Sequence, residues 1–521
     1  MDFWQSLKET DNFTTTENGA GAYKSTLNAC LDAFGSLGAM RKCDGTTIIN
    51  TFEKAFNEDR VLAMRMLFWL RDIRGGIGER RAFRIIFQWL TDRHPEYVIN
   101  NLHNIFEYGR GDDFLCLLDS QLRNEVADYL KKAVEYDLNK LPFLQPISLL
   151  GKWLPSNNTS SAETKRYANI LAKAWGWSPR RYRKTLSTLR RWLKVVERDM
   201  SAQEWKYIDY ERVPAKAAMN YSDAFFKHDA IGYTTYLQNV ANGTAQVKAK
   251  TLFPVDIVHK ILSARYDKVS YKDKILFNAM WDNLPNYFEK APNESSICVV
   301  DVSGSMSGEP MEVAISLGMY CADKCRGPFH NKFITFSENP KLVEVRGDDL
   351  YEKVYNVESA DWGGSTNIEA VFNLILTTAV RNNCKQEDLP TKLYIISDMQ
   401  FNEANGSYNW RTRRSDTRPM SFMQKMRQRY AEAGYEMPAI VYWNVRASHC
   451  GMFQETINGE NIAMVSGYSA KLFEAVIEGT TYEETVGKNG ETVTKQKIDP
   501  MTVMLTTLGN ERYDKVWTGR V

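Results

Sequence analysis

Apolar residues recur at intervals of three and four from about Asp44 to Lys290. Ile49, Phe52 and Phe56 make one such run, and Phe83, Ile86, Trp89 and Leu90 a second. Leu102, Ile105 and Phe106 make a third, and Leu122, Val126, Tyr129 and Ala133 a fourth. That spacing sets each group on one face of an α-helix. Gly, Pro, Asn and Asp punctuate the runs, as in "RGGIGE", "DRHPE", "YGRGDD" and "LPFLQP", and these are helix stop signals. Amphipathic helices in series with short links predict an α-helical repeat, a HEAT-like solenoid or ring, over residues 1–290. No fixed-period sequence repeat accompanies it.

Near "EKAPNESS" the pattern changes. Short β-rich runs, "SICVVD", "KFITFS", "KLVEV", "KLYIISD", "PAIVYWNV" and "IAMVSG", now alternate with helical stretches around 309–325, 366–381, 418–434 and 469–478. Such alternation predicts an α/β domain over 291–521, with an open, mostly parallel, Rossmann-like sheet covered on both faces. Ligands of such sheets bind beyond the carboxyl ends of the strands.

At 521 residues the chain exceeds what one core supports, which agrees with two domains. Its 43% hydrophobic and 25% charged residues are those of a soluble globular protein. The first residues carry charges without an apolar stretch, and no run of about 18 apolar residues follows, so a cytoplasmic protein without a membrane partner is expected. Eight cysteines sit mostly in apolar periodic stretches, as reduced core thiols would. Cys321 and Cys325 lie one helical turn apart without a second close pair of zinc spacing, which favours packing over metal. The net charge of +2 hides an asymmetry: residues 1–290 hold 42 basic against 34 acidic residues, and residues 291–521 hold 24 against 30. The basic half suits polyanions.

Within "VVDVSGSMSG" an apolar strand runs into Asp301 and then alternates the hydroxyls of Ser303 and Ser305 with glycine. Asp398 ends "KLYIISD", and Thr366 follows the flexible Gly363-Gly364. Two carboxylates and three hydroxyls on one rim of a sheet make an all-oxygen site, suited to Mg²⁺ or Mn²⁺. In order and spacing, Asp301, Ser303, Ser305, Thr366 and Asp398 resemble the metal-ion-dependent adhesion site (MIDAS) of von Willebrand factor A domains. The resemblance spans about 291–521 and implies that these five residues hold the ion, directly or through water, with a protein partner's carboxylate completing the shell.

The helical half carries a second resemblance. "FWLRDIRGGIGERRAFR", "FEYGRGDD", "GKWLPSNNTSS" and "YRKTLSTLRRWLKVVERDMS" are similar to an uncharacterised family with viral, fungal and plant members, which joins a helical-repeat region to a von Willebrand A domain. That family is similar in architecture to the Ro autoantigen, whose TROVE module is a ring of HEAT-like helices closed by such a domain and binds structured RNAs and the single-stranded ends of defective ones. The resemblance implies a ribonucleoprotein role, with RNA as partner.

"SPRRYRKTLSTLRRWLKVVER" bears on that implication directly. On one helix, Arg180, Lys184, Arg191, Lys194 and Arg198 fall within about 40° of one line, opposite Tyr182, Leu186, Leu189, Leu193 and Val196. Ser178 is a good N-cap and Pro179 a good first residue. Arg180 and Arg181 then occupy the first turn, where the macrodipole disfavours cations unless a phosphate sits there. Residues 151–200 hold 12 basic against 3 acidic residues. A solvated face, or arginines paired with acids of a neighbouring helix, would also account for the pattern. A second basic cluster surrounds the glycines of "RDIRGGIGERRAFR", with Arg74 and Arg80 as candidate phosphate contacts; tight turn geometry and pairing with Asp72 and Glu79 is the other reading.

Catalytic chemistry is poorly represented. No P-loop is present, and the six histidines lack metalloprotease spacing. A water activated by a metal at Asp301 and Asp398 would lack an evident general base. The expectation is therefore a non-enzymatic RNA-binding protein with one divalent-ion site; the alternative is a protein-interaction scaffold that captures a partner carboxylate at that ion.

Overall fold

The computed structural model describes residues 11–264, 270–292, 294–336, 339–359, 367–402, 422–486 and 492–519. The chain divides into two compact units, but not at the single boundary of 290/291 that the change in periodicity predicts. One unit comprises Met1–Ala63, Phe253–Val269 and Leu284–Asn510; the other comprises Met64–Leu252, Ser270–Asn283 and Glu511–Val521. The physical reason lies in what covers the sheet.

In the first unit six strands form one sheet: β1 Ser296–Asp301, β2 Lys332–Phe336, β3 Leu342–Glu344, β4 Lys392–Ser397, β5 Ala439–Asn444 and β6 Ile462–Ser466, in the order β3-β2-β1-β4-β5-β6. All neighbours are parallel except the edge pair β2–β3. Every residue of β1 and β4 is buried, which is why both read as unbroken apolar runs rather than alternating ones. Helix Glu309–Lys324 lies directly over β1, since a Cβ on Gly318 would stand 2.5 Å from Val300 Cγ2. The strands and the helices at 309–324, 368–381, 422–432 and 471–478 lie where the sequence pattern puts them. Helices Leu350–Glu358 and Pro500–Leu508 and the hairpin of Thr481–Val486 with Thr492–Lys497 are additions to that pattern.

The remaining cover comes from outside 291–521. Helix Ala29–Ser36 buries Cys30, Leu31, Ala33 and Phe34. It packs on β6, where Ser466 Oγ donates to Phe34 O at 2.9 Å and accepts from Gly38 N–H at 3.1 Å. Helix Pro254–Ser263 packs on Glu309–Lys324, joined by His259 Nδ1 and Glu312 Oε2 at 2.7 Å. A fragment of residues 291–521 is therefore expected to leave an apolar sheet face open and to aggregate. Size-exclusion chromatography checks this, and a monodisperse fragment with the near-ultraviolet dichroism of folded aromatics would contradict it.

The second unit is helical, with Arg81–Arg93, Arg123–Lys140, Ala162–Ala174, Pro179–Trp192, Ala215–His228, Ala230–Ala241 and Tyr271–Asp282 as its longer elements. Its far C-terminal segment is held by polar contacts: Asp72 accepts from Arg512 Nη2 at 2.9 Å and Tyr513 OH at 3.2 Å, and Asn101 bonds to Trp517 through both backbone groups. No helix among the described residues is long and apolar enough to cross a membrane. All eight cysteines are free, and Cys321 and Cys325 are buried.

Candidate metal centre and basic face

The strand order reverses between β1 and β4, and the two aspartates lie at that point. Asp301 ends β1 fully buried. Its Oδ1 accepts the Ser303 N–H at 2.9 Å, and its Oδ2 accepts the hydroxyl of Ser397, the last residue of β4, at 2.5 Å. Ser397 Oγ in turn accepts the Met399 N–H at 3.0 Å. The two strand ends are thus tied together through Asp301. Burial, with a smaller contribution from the charge of Asp398, pushes the Asp301 carboxyl up to about 6. A divalent cation at this rim would reverse that penalty by favouring the charged form.

Ser303 Oγ and Ser305 Oγ stand 3.0 Å apart. Oxygens at neighbouring corners of an octahedron with bonds of about 2.0–2.1 Å lie about 2.9 Å apart, so the pair fits two adjacent positions around Mg²⁺ or Mn²⁺; the spacing also suits a hydroxyl hydrogen bond. Asp398 and Ser305 line a cavity of about 130 Å³ together with Glu17, Asn444, Arg446 and His449. Arg446 also donates to the carbonyl of Ser305. Thr366 lies outside the described residues; the helix after it, Ile368–Arg381, is capped by Asn367. Among the described residues no three His, Cys, Asp or Glu side chains gather as metal ligands, so a site here depends on its hydroxyls. That donor set is hard and suits Mg²⁺ or Mn²⁺ better than a soft ion.

Periodicity alone does not find Ser397, Arg446 or Glu17. Ser397 is legible afterwards, as the residue next to Asp398, whereas Glu17 comes from a remote hairpin without any local signal.

In the helical unit Ser178 caps the helix Pro179–Trp192, its side chain accepting from Arg181 N–H at 3.2 Å, with Pro179 in the first turn. Tyr182, Leu186 and Leu189 are buried beneath it. Arg180, Arg181, Lys184 and Arg191 are exposed, as is Arg183 beside them. Arg181 stacks on the Trp177 ring, 4.5 Å from its centroid. Arg180, Arg183, Lys184 and Arg191 make no ion pair with a described residue.

The expected ridge does not continue to residue 198. The helix ends at Trp192, and Lys194 follows in a left-handed conformation at φ 48°. Arg198 belongs to a separate short helix, Val196–Ser201, and pairs with Asp199 at 2.6 Å and Glu204 at 2.7 Å. Lys194 remains exposed. The break agrees with the β-branched pair Val195-Val196, which carries low helix propensity.

Arg190 is oriented differently from its neighbours. Its guanidinium donates to Gly151 O at 3.0 Å, Ser156 Oγ at 2.7 Å and Leu154 O at 2.7 Å. Arg190→Ala is expected to destabilise the unit by about 2–3 kcal/mol, because it strands carbonyls that a charged donor now satisfies. Urea titration followed by tryptophan fluorescence checks this, and an unchanged midpoint would contradict it.

The second basic cluster is an ion-pair network. Arg71 Nε meets Asp113 Oδ2 at 2.7 Å with both side chains buried, and Arg84 bonds Asp113 at 2.8 Å and Asp112 at 3.0 Å. Arg80 is exposed and lies 3.8 Å from Asp112; Arg74 is exposed and donates to Glu107 O at 2.9 Å. The acids that hold these arginines come from "GRGDD", whereas Asp72 serves Arg512 and Glu79 accepts the N–H groups of Arg81 and Ala82.

Residues 295–508 match a family described as a domain of unknown function (DUF7788). Residues 16–110 and 178–286 match a second domain of unknown function (DUF2828). Over 508 residues the chain is 32% identical to "Uncharacterized protein L728" of Acanthamoeba polyphaga mimivirus, an alignment that covers 90% of this chain and 86% of that protein.

Proposed function

We propose, for a chain that belongs to the family of the mimivirus protein L728, a non-enzymatic RNA-binding role with a Ro-like division of labour. The helical unit binds structured or single-stranded-ended RNA, and the sheet unit is a von Willebrand A-like domain holding one Mg²⁺ or Mn²⁺ at Asp301, Ser303, Ser305, Asp398 and Thr366. The observation that carries the RNA reading is the run Arg180, Arg183, Lys184 and Arg191, exposed without an acidic partner among the described residues, on a helix whose N-terminus opens beside the Arg181–Trp177 stack. Helix N–H groups, guanidinium charge and an aromatic surface together suit a phosphodiester chain. Phosphate contacts of this kind position RNA with little reading of bases. Arg74 and Arg80 support the reading less, since both already engage protein oxygens.

A second reading is favoured by one observation of its own, the hydroxyl pair of Ser303 and Ser305 beside the cavity at Asp398. On that reading the ion captures a protein partner's carboxylate and the basic face is incidental.

Protein purified from cells without nuclease is expected to carry RNA, seen as ultraviolet absorbance that ribonuclease and high salt remove. A preparation free of nucleic acid that also fails to bind added single-stranded RNA would favour the scaffold.

A further inference from the structure

In the helical unit, residues 205–210 form a turn held at both ends. Trp205, Ile208 and Tyr210 are buried, whereas Lys206 and Tyr207 are exposed, the tyrosine to 83%. The Trp205 indole N–H donates to Gln203 Oε1 at 3.2 Å, and its ring lies parallel to that of His228, with centroids 4.3 Å apart and an interplanar angle of 11°. At the other end Tyr210 packs on Phe225 and Tyr233, with centroids 5.2 and 5.0 Å away, and its hydroxyl donates to Asp229 Oδ2 at 2.9 Å. Asp229 also caps the helix Ala230–Ala241 by accepting the Gly232 N–H at 3.2 Å. The turn is thereby fixed against the end of helix Ala215–His228.

His228 is the last residue of that helix and is exposed. Its imidazole covers the indole on one face, and neither ring nitrogen has a hydrogen-bond partner among the described residues. Lys206 and Lys227, each next in sequence to one of these rings, are exposed and make no ion pair with a described residue. Glu204, the acid that precedes the turn, is answered by Arg198 at 2.7 Å. That pair also joins the turn to the segment that leaves the basic helix at Trp192. Tyrosine rings ordinarily bury most of their apolar surface. A fixed turn that leaves one open, beside a stacked imidazole and two free cations, has the composition of a surface that stacks bases and holds the phosphates between them. Because folding has already ordered these rings, little freedom is lost on binding.

We infer that Tyr207 and His228 are stacking platforms for unpaired bases, with Lys206 and Lys227 as the accompanying phosphate contacts. The inference rests on the RNA reading above and narrows it to RNA that is single-stranded where it crosses this turn. A duplex keeps its base faces stacked inside the helix, whereas a single strand offers one at every nucleotide.

Fluorescence anisotropy with the full chain tests this, using a labelled RNA strand of about 12 nucleotides and a duplex of the same length over a series of salt concentrations. Tyr207→Leu and His228→Leu keep apolar bulk, the second still covering the indole, but remove the rings. Each is expected to bind the single strand about tenfold more weakly, with duplex affinity unchanged. The slope of log K against log salt should stay as in the wild type, because no phosphate contact is lost. Tyr207→Phe keeps the ring and should bind as the wild type does. Wild-type affinity for the single strand in folded Tyr207→Leu, an exposed substitution, would overturn the stacking role while leaving the basic face standing; so would an equal loss for the duplex. A wild type that binds neither probe would overturn the RNA reading, and this inference with it.

Discussion

Asp301→Asn is expected to melt about 5 °C higher than the wild type in EDTA, and to gain nothing from Mn²⁺. The wild type carries a buried carboxyl raised to about 6. Its ordinary value is near 3.8, so between these limits the folded state holds the proton more tightly than the unfolded chain. Stability falls as pH rises through that window, and above about pH 6 the full penalty applies. A shift of this size corresponds to about 3 kcal/mol. Asparagine removes the charge and keeps the acceptor for Ser303 N–H, while the Ser397 hydroxyl is free to reorient toward the new amide. About 2 kcal/mol should be recovered, equivalent to about 5 °C for a unit of this size.

In the wild type a saturating ion offsets the same penalty, adding about 2.7 kcal/mol when present at a hundredfold excess over its dissociation constant. Differential scanning fluorimetry in EDTA and in millimolar Mn²⁺ separates the two proteins. A variant that loses stability in EDTA, or one that responds to Mn²⁺ as the wild type does, would remove Asp301 from the metal account.

The alternation of strands and helices after residue 291 is legible because β1, β4 and β5 are buried on both faces and contain little but apolar residues. Their carboxyl ends then locate Asp301 and Asp398 without further information. The extent of the sheet unit is less legible. Helix Ala29–Ser36 has the same amphipathic spacing as the helices of the other unit, and nothing in a local pattern says which surface its apolar face will cover. The basic ridge shows a similar limit. Helical projection aligns Arg180 with Arg198, but the projection assumes a continuous helix, and the turn at Lys194 breaks it. Arginine identity is equally ambiguous: Arg190 and Arg191 are adjacent, yet one fills the carbonyls of the 151–156 segment and the other faces outward. Only packing distinguishes them.

Replacing Arg180, Arg181, Lys184 and Arg191 by glutamine is expected to lower RNA affinity about 100-fold at physiological salt. Each phosphate contact on a single strand contributes about 0.7 to the magnitude of the slope of log K against log salt, so four contacts contribute nearly 3. The loss should be shared across unrelated sequences, since the contacts are to backbone. Stability should change little, because Tyr182, Leu186, Leu189 and Arg190 keep their packing and hydrogen bonds. Loss of the Arg181–Trp177 stack is a surface effect of about 0.5–1 kcal/mol.

The most direct measurement is therefore a salt titration of single-stranded RNA binding by the full chain, wild type and quadruple variant side by side. The account predicts a steep slope for the wild type and one shallower by nearly 3 for the variant, with melting temperatures within about 4 °C of each other. A wild type that binds RNA with the same affinity and slope as a folded variant would contradict it.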